Sequence, residues 1–206
     1  MSVYDLLLTG ARVYVAPVGE ALPDGNTIGV GTAWGGNWTD LGTISQALNL
    51  VIEEERHDFK DQRYMQAVGQ ARKSMVHKFA SALGEVNAAN VAYVQGYDPA
   101  DVVTTTAAGA SQIGHELVTF GSGSACARKV KEWAIGIEGV ACTSAGDPSF
   151  LRVYLTKATF MPNGDQVFDA EGDGTKLPFM ATGLVDTAQP GGIPYRWERM
   201  TAVATS

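Results

Sequence analysis

Residues 47–53 read ALNLVIE and run into the charged residues 54–63, EERHDFKDQR. A similar pattern returns at residues 74–80 as SMVHKFA. In the first segment Leu48, Leu50 and Ile52 alternate with Asn49 and Val51, and the third segment alternates in the same way. Period-2 alternation predicts strands, each with one well-buried face. The sequence therefore predicts a strand, a long charged loop, a second strand and then a short helix.

The charged loop is expected at about residues 54–73. It is too long for a two-residue hairpin turn, and loops of that size in compact domains are usually functional or disordered. It mixes charges of both signs and offers no nucleophile, base or metal ligands at workable spacing, so we expect it to dock onto another copy of a protein. The residues expected to form that surface are Glu53, Glu54, Glu55, Arg56, His57, Asp58, Lys60, Asp61 and Arg63.

Glycine and proline divide the rest of the chain into short segments, with 24 glycines and 8 prolines among 206 residues. Alternating patterns predict further strands at residues 11–16, 130–137, 151–160 and 176–185. A short helix is predicted within residues 83–96, ending at Gly96, whereas residues 97–127 are weakly patterned. Many short strands with one helix predict a mainly β fold, a β-sandwich or barrel, in a single domain over residues 1–206.

Composition argues against several classes of partner. The net charge is −7, and the 15 basic residues are scattered, whereas a surface that grips nucleic acid needs clustered Lys and Arg. No apolar run approaches the roughly 20 residues that span a bilayer, and the first residues lack the features of a signal peptide. We therefore expect no membrane partner and a bacterial-type cytoplasmic origin. Cys126 and Cys142 are expected to be reduced and buried, with a bridge possible only between neighbouring strands.

Catalytic patterns are missing from the sequence. The glycine-rich residues 29–36 lack the Lys-Ser/Thr of a phosphate-binding loop, and GSGSA at residues 121–125 has its second glycine in the wrong place for a nucleophile elbow. His57, His77 and His115 stand alone, without metal-binding spacing. We expect no catalytic residue, no metal and no cofactor.

Four segments resemble the major tail tube proteins of long-tailed, siphovirus-like phages. They are GARVYVAPVG at residues 10–19, WTDLGT at 38–43, FASALGEVNAANV at 79–91 and LPFMATGLVD at 177–186. These look like the family's first strand, the turn after it, its strand leading into a short helix, and its late strand. The Thr/Ala/Gly-rich residues 97–127 depart from the family pattern and suggest an added surface loop.

The resemblance implies a β-sandwich or barrel of the phage tail tube type, assembled as hexameric rings that stack into a hollow tube. The charged loop would contact the next ring, and extended N- and C-terminal arms would bridge subunits, the latter through Ile193, Tyr195 and Trp197. Implied partners are the chain itself and the tape measure, tail tip and tail terminator proteins. DNA would pass through the lumen without specific binding, in keeping with an acidic protein. The implied location is the virion tail, assembled in the host bacterial cytoplasm.

Three alternatives stay open. The first is a relative with the same fold, namely a contractile-tail tube subunit, a type VI secretion tube subunit or a tail terminator. The second is a carbohydrate- or receptor-binding β-sandwich, with Trp34 and Trp38 as exposed binding residues on loops. The third is an enzyme. For residues 189–206, an arm packed on a neighbouring subunit and a final strand on the chain's own domain are both compatible with the alternation of Ile193, Tyr195 and Trp197.

Overall fold

A computed structural model describes residues 9–25, 27–29, 31–60, 67–101, 103–105, 115–117, 130–142, 148–166 and 176–200. The fold is mainly β, as predicted. The strands are β1 Thr9–Pro17, β2 Thr39–Thr43, β3 Asn49–Lys60, β4 Ala67–Leu83, β5 Val103–Thr105, β6 His115–Leu117, β7 Glu132–Cys142, β8 Pro148–Pro162, β9 Leu177–Gly183 and β10 Tyr195–Met200, and the helix α1 is Ala88–Val94. All pairs are antiparallel, and β5 and β6 form a separate two-stranded sheet.

The main sheet has the strand order β2-β1-β7-β8-β9-β4-β3, and β10 pairs with β8 beside β9. Its ends meet just after β2, where Ile44 bridges to Leu83 of β4. The Ser45 amide donates to the Ala82 carbonyl at 2.8 Å, and the Gly84 amide donates to the Thr43 carbonyl at 2.9 Å. The sheet from β2 to β4 therefore closes on itself as a barrel, and β3 lies outside the closed part.

The inward side chains of the closed sheet form the hydrophobic core. On β7 the inward residues are Trp133, Ile135 and Ile137, in the alternation that the sequence shows. The core also contains Val13, Val15, Phe79, Leu83, Val153, Leu155, Phe160, Leu177 and Phe179, together with Tyr93 and Val94 of α1. Each large apolar side chain fully buried in this way contributes about 1.5–3 kcal/mol, so this core is the main source of the fold's stability.

Helix α1 is shorter than the predicted span of 83–96, because Leu83 belongs to β4 and the helix starts only after Asn87. The Asn87 side chain accepts a hydrogen bond from the Asn90 amide at 2.8 Å, an N-cap that offsets a free helical N–H. The chain turns at Gly96, whose φ of 78° favours glycine. The buried Asn90 side chain donates to the Leu41 and Glu85 carbonyls at 2.9 Å each, which fixes α1 to the end of the barrel.

The outer face of β1, β7 and β8 is covered by the loop between β1 and β2, here called the covering loop (residues 18–38). Trp34 of this loop stacks on Tyr14 with ring centroids 4.0 Å apart. Gly136 makes room for it, since a Cβ there would lie 2.3 Å from the Trp34 ring. Trp38 donates its indole N–H to the Ala21 carbonyl at 2.8 Å. This face therefore has a second, aromatic core outside the barrel.

The predicted loop at 54–73 is wrong for most of its length. Residues 54–60 continue β3 and residues 67–73 belong to β4, paired in register from Asn49–Ala80 to Lys60–Ala67 with two irregularities. The alternation of apolar residues stops there because both faces of the ribbon are exposed, so charged residues take the strand positions. Residues 61–66 lie outside the described residues.

Candidate assembly surface

The β3–β4 hairpin extends beyond the body of the protein. On β4 the last pair toward the hairpin tip that β9 makes is Lys78 with Thr182. From His77 outward, β3 is the one strand that pairs with β4 among the described residues. We call residues 53–60 and 67–76 the arm. At about 3.4 Å per residue the eight residues of β3 in the arm span about 27 Å. A two-stranded ribbon is marginal by itself, so the arm needs cross-strand support.

Ion pairs within the arm supply that support. The Arg72 Nε lies 2.6 Å from Glu54 Oε1, and the Arg56 Nη2 lies 3.1 Å from Glu54 Oε2. Hydrogen bonds from Arg56 and Arg72 lower the pKa of Glu54 to about 2. Lys73 pairs with Glu55 at 2.6 Å across the same two strands. The predicted docking charges are therefore largely engaged with each other inside one chain.

The remaining predicted arm residues follow the same plan. Glu53 pairs with Lys78 at 2.7 Å, and Asp58 accepts a hydrogen bond from Gln70 at 2.8 Å. His57 contacts the edge of the Phe59 ring with centroids 5.5 Å apart. The structure thus brings together Glu53, Glu54, Glu55, Arg56, His57 and Asp58 along one ribbon; Asp61, Arg63 and the Lys60 side chain lie outside the described residues.

The apolar residues of β3 indicate a contact surface that the sequence analysis, which selected charged residues, did not include. The prediction of one well-buried strand face is wrong for Leu50 and Ile52, which are 42% and 51% exposed, and Val51 on the other face is 39% exposed. Leu48 packs against the core, so Leu50 and Ile52 continue an inward-facing row into solvent. Phe59 near the tip is 52% exposed. The sequence signal is the apolar run immediately before the acidic residues.

These exposed residues lie on an open edge. Within the described residues β3 has one neighbour, β4, so the outer N–H and C=O groups of β3 lack a strand partner. An exposed edge strand with apolar side chains pairs readily with another chain, and such apolar patches mark interaction sites. The edge of β3, with Leu50, Val51 and Ile52, is the candidate assembly surface of this protein.

The C-terminal segment shows which of the two alternatives holds for residues 195–200. Tyr195–Met200 forms β10, paired with residues 150–155 of β8, on the same side of β8 as β9. It is thus a final strand on the chain's own domain. Tyr195 is half-buried against the core, whereas Ile193 and Trp197 are 42% and 62% exposed. An intersubunit role for Ile193 and Trp197 stays a prediction, and the predicted N-terminal arm and residues 201–206 lie outside the described residues.

One buried polar cluster outside this surface has the makings of a chemical site. Glu138 and Arg152 are 4% and 0% exposed, with Arg152 Nε 2.7 Å from Glu138 Oε2. Glu138 also accepts from the Gly31 amide at 2.8 Å and the Trp34 indole N–H at 3.3 Å, and Arg152 donates to the Ile28 carbonyl at 2.7 Å. The pair is enclosed by the covering loop. It anchors that loop to the sheet.

The carbohydrate-binding alternative depended on exposed tryptophans, and this expectation is wrong. Trp34 and Trp38 are 4% and 8% exposed, and their rings contact each other edge to face with centroids 5.0 Å apart. They are buried because the covering loop folds back onto β1, β7 and β8. Neither ring offers a free face for stacking a sugar.

The described part of the chain contains no group of three or more His, Cys, Asp or Glu side chains placed to hold a metal. It also contains no helix with the length and apolarity to cross a membrane. The pairing of Cys126 with Cys142 lies outside the described residues. Comparison with known protein families and with curated proteins found no match to this chain.

Proposed function

We propose that this chain is a structural virion protein, the subunit that polymerises as stacked hexameric rings into the hollow tail tube through which phage DNA passes. The observation that supports it best is that one chain has both an open, apolar edge strand and a projecting arm whose charged residues form ion pairs with each other. Such a combination is costly for a monomer and useful for a polymer. We propose no catalytic activity and no cofactor.

Ring formation needs two different complementary surfaces on each subunit. Head-to-tail contacts between unlike surfaces generate closed rings when the rotation closes. The main sheet offers two candidates within the described residues, the outer edge of β3 and the side of β10 away from β8. Beside these edges lie Ile52 on β3 and Trp197 on β10, both more than half exposed. Pairing between these edges in neighbouring subunits would extend the sheet around a channel and cover both side chains.

Stacking of rings is the task proposed for the arm. Its length of about 27 Å takes it well past the barrel, and Phe59 near its tip is exposed. The internal ion pairs hold the ribbon straight before a partner is met, which reduces the entropy lost on docking. On this proposal the charged residues stiffen the arm, and apolar residues supply most of the contact energy with the next ring.

The passage of DNA sets a further requirement on such a tube. A lumen with negative bias repels phosphates, whereas a basic lumen would bind them in a salt-dependent way. The net charge of −7 agrees with this requirement. The proposed partners are other copies of this chain and the tape measure, tail tip and tail terminator proteins. The proposed location is the virion tail, assembled in the host bacterial cytoplasm.

Negative-stain electron microscopy and sedimentation of the concentrated protein test this proposal. We expect hollow tubes of uniform diameter, with or without added tail-tip complexes as seeds. Single rings that never elongate would indicate a tail terminator instead. A chain that stays monomeric under all these conditions would overturn the tube proposal.

An arm-shortened variant sharpens the test. Replacing residues 55–74 with Asn-Gly joins Glu54 to its direct partner Met75 through a two-residue turn. We expect a folded monomer that forms rings but not stacked tubes. The matched control is the exchange Glu55→Lys with Lys73→Glu, which keeps the arm and its ion pair and should still form tubes. Normal tubes from the shortened variant would show that stacking depends on another surface.

A further inference from the structure

His77 stands where the arm leaves the body of the protein. It lies on β4 directly opposite Ile52, one residue beyond the last β4–β9 pair that involves Lys78. Its ring is 4% exposed and stacks face to face on Tyr195, with centroids 4.7 Å apart and planes 6° apart. Tyr195 is the first residue of β10. The stack therefore joins the root of the arm to a strand of the body.

The backbone does not make this connection in the described part of the chain. There β4 pairs with β3 and β9, and β10 pairs with β8 alone. Between Gly183 at the end of β9 and Tyr195 the chain makes a detour, so in the described residues no strand pairs with β4 on that side from His77 outward. Two aromatic contacts cross this gap, the His77 stack and an edge contact between Phe79 and Tyr195 with ring centroids 6.4 Å apart. These rings connect the root of the arm to β10.

We propose that His77 is a proton-sensitive hinge, and that its protonation releases the arm from β10 and frees the arm to change direction. The inference concerns the isolated chain and holds whether or not the chain forms tubes. It assigns to the histidine a regulatory role in setting the direction of the arm.

The charges around His77 oppose its protonation in the docked state. Burial is the larger cause that lowers its pKa, and the positive charge of Arg72 on the same strand is the second. From β3, Glu54 reaches this side opposite Met75, but its carboxylate is held by Arg56 and Arg72.

Among the described residues, the other elements beside the ring place no carboxylate against it. From β10 the neighbouring group is the Tyr195 ring. The end of β9 contributes the uncharged Thr182 and Gly183. A cation over an aromatic face is attracted to it. For a buried imidazolium without a carboxylate or water beside it, however, the free-energy cost of desolvation exceeds that attraction. Opening the stack hydrates the charge, so acid favours the open arm.

Distance measurements between two spin labels test the hinge directly. The labels go on Ser74→Cys in the arm and Thr187→Cys in the body, both exposed positions, in a Cys126→Ser, Cys142→Ser background. The distance distribution is recorded from pH 8 to pH 5, and the His77 ring is titrated by NMR in the same protein. We expect the distribution to broaden and shift with a midpoint equal to the His77 pKa, which lies below the ordinary value for histidine.

Two variants separate the hinge from general effects of acid. His77→Phe keeps a stacked ring without a titratable group, and should hold the docked distribution throughout. His57→Phe, at an exposed histidine of the same arm, should behave as the unsubstituted chain does. The proposal is overturned if the distribution stays fixed while His77 titrates, if His77 stays neutral down to pH 5, or if His77→Phe keeps the transition. If His77→Phe does not fold, His77→Tyr takes its place. If neither variant folds, the test is whether, in the unsubstituted chain, the pH midpoint of the distance change equals the His77 pKa measured by NMR.

Discussion

Replacing Leu50 and Ile52 with threonine tests the assembly surface most directly. Threonine is β-branched and favoured in strands, but it has much less apolar surface than leucine or isoleucine. The two side chains are 42% and 51% exposed in the free chain. Because full burial of such a side chain contributes about 1.5–3 kcal/mol, covering the exposed half of each gains about 0.7–1.5 kcal/mol, or about 1.5–3 kcal/mol for the pair.

This free energy converts to a change in the concentration at which tubes grow. At about 1.4 kcal/mol per factor of ten, losing the pair raises the critical concentration for elongation about 10- to 150-fold. The critical concentration is measured by sedimenting seeded polymer and assaying the protein left in the supernatant. The free chain also loses the already buried half of both side chains, so the comparison is made far below the melting temperature of each variant.

The matched control is Val185→Thr, an exposed apolar residue in the segment between β9 and β10. Val185 is 70% exposed. It lies in the connection between β9 and β10, not on β3. It should leave the critical concentration within about twofold of the original. The reasoning fails if the Leu50, Ile52 double variant polymerises as readily as the unsubstituted chain, or if Val185→Thr has an equal effect.

Three further predictions concern stability. Glu138→Ala leaves Arg152 as a buried charge without its partner and should cost about 3–5 kcal/mol in the free energy of unfolding, whereas Glu138→Leu with Arg152→Met should recover most of it, both by urea denaturation; a cost under about 1 kcal/mol for the single variant would contradict this. Asn90→Ala removes the donor to the buried Leu41 carbonyl and to the partly buried Glu85 carbonyl, and should cost about 1–3 kcal/mol, a fall in Tm of about 2–12 °C by calorimetry; an unchanged Tm argues against it. The pKa of Glu54 is lowered to about 2 from an ordinary 4.5, so its contribution to the arm is complete above pH 4.5 and is lost as the pH falls toward 2; the protection of arm amides relative to their intrinsic exchange rate at each pH should fall over that window, and Glu54→Gln should remove the dependence.

The strands of the barrel could be predicted from the sequence because their two faces differ. The strands predicted at 11–16 and 151–160 are found as β1 and β8, each longer by one to three residues at each end. The extra residues of β8 pair with β7 and β9 near the ends of the sheet. At those positions the pattern of alternation is weak, so the sequence locates the strand but not its ends.

The arm was predicted as a loop because its stabilising contacts are of a different kind. Alternation reports the contrast between a buried and an exposed face, and this ribbon is exposed on both faces. Its order comes from pairs such as Glu54 with Arg72, which lie 18 residues apart and become neighbours only after the hairpin forms. The sequence feature that could have predicted this hairpin is the presence of opposite charges on the two sides of a turn, since such charges can pair across two antiparallel strands.

The buried Glu138–Arg152 pair shows a second limit. Both residues occupy strand positions where a charge normally indicates an outward, solvated face. The covering loop buries that face, with Trp34 and the backbone of Ile28 and Gly31 supplying the partners. The sequence contains Gly136 and Trp34 far apart, and nothing in their local pattern shows that one makes space for the other. Tertiary contacts of this kind need the structure.

The strand order also fixes the sequence of events during synthesis. The β3–β4 hairpin is local and can close within microseconds once residue 83 has emerged, whereas the pairing of β1 with β7, which joins Val13 to Ile137, must wait until β7 is made. At about 5–20 residues per second, ribosomes need roughly 3–12 seconds to make the 59 residues that separate β4 from Cys142. During this interval each nascent chain displays a finished arm on an unfinished body. On a polysome many such arms are held close together. The charged residues that stiffen the ribbon also lie beside its apolar residues, and there they oppose premature association between nascent chains.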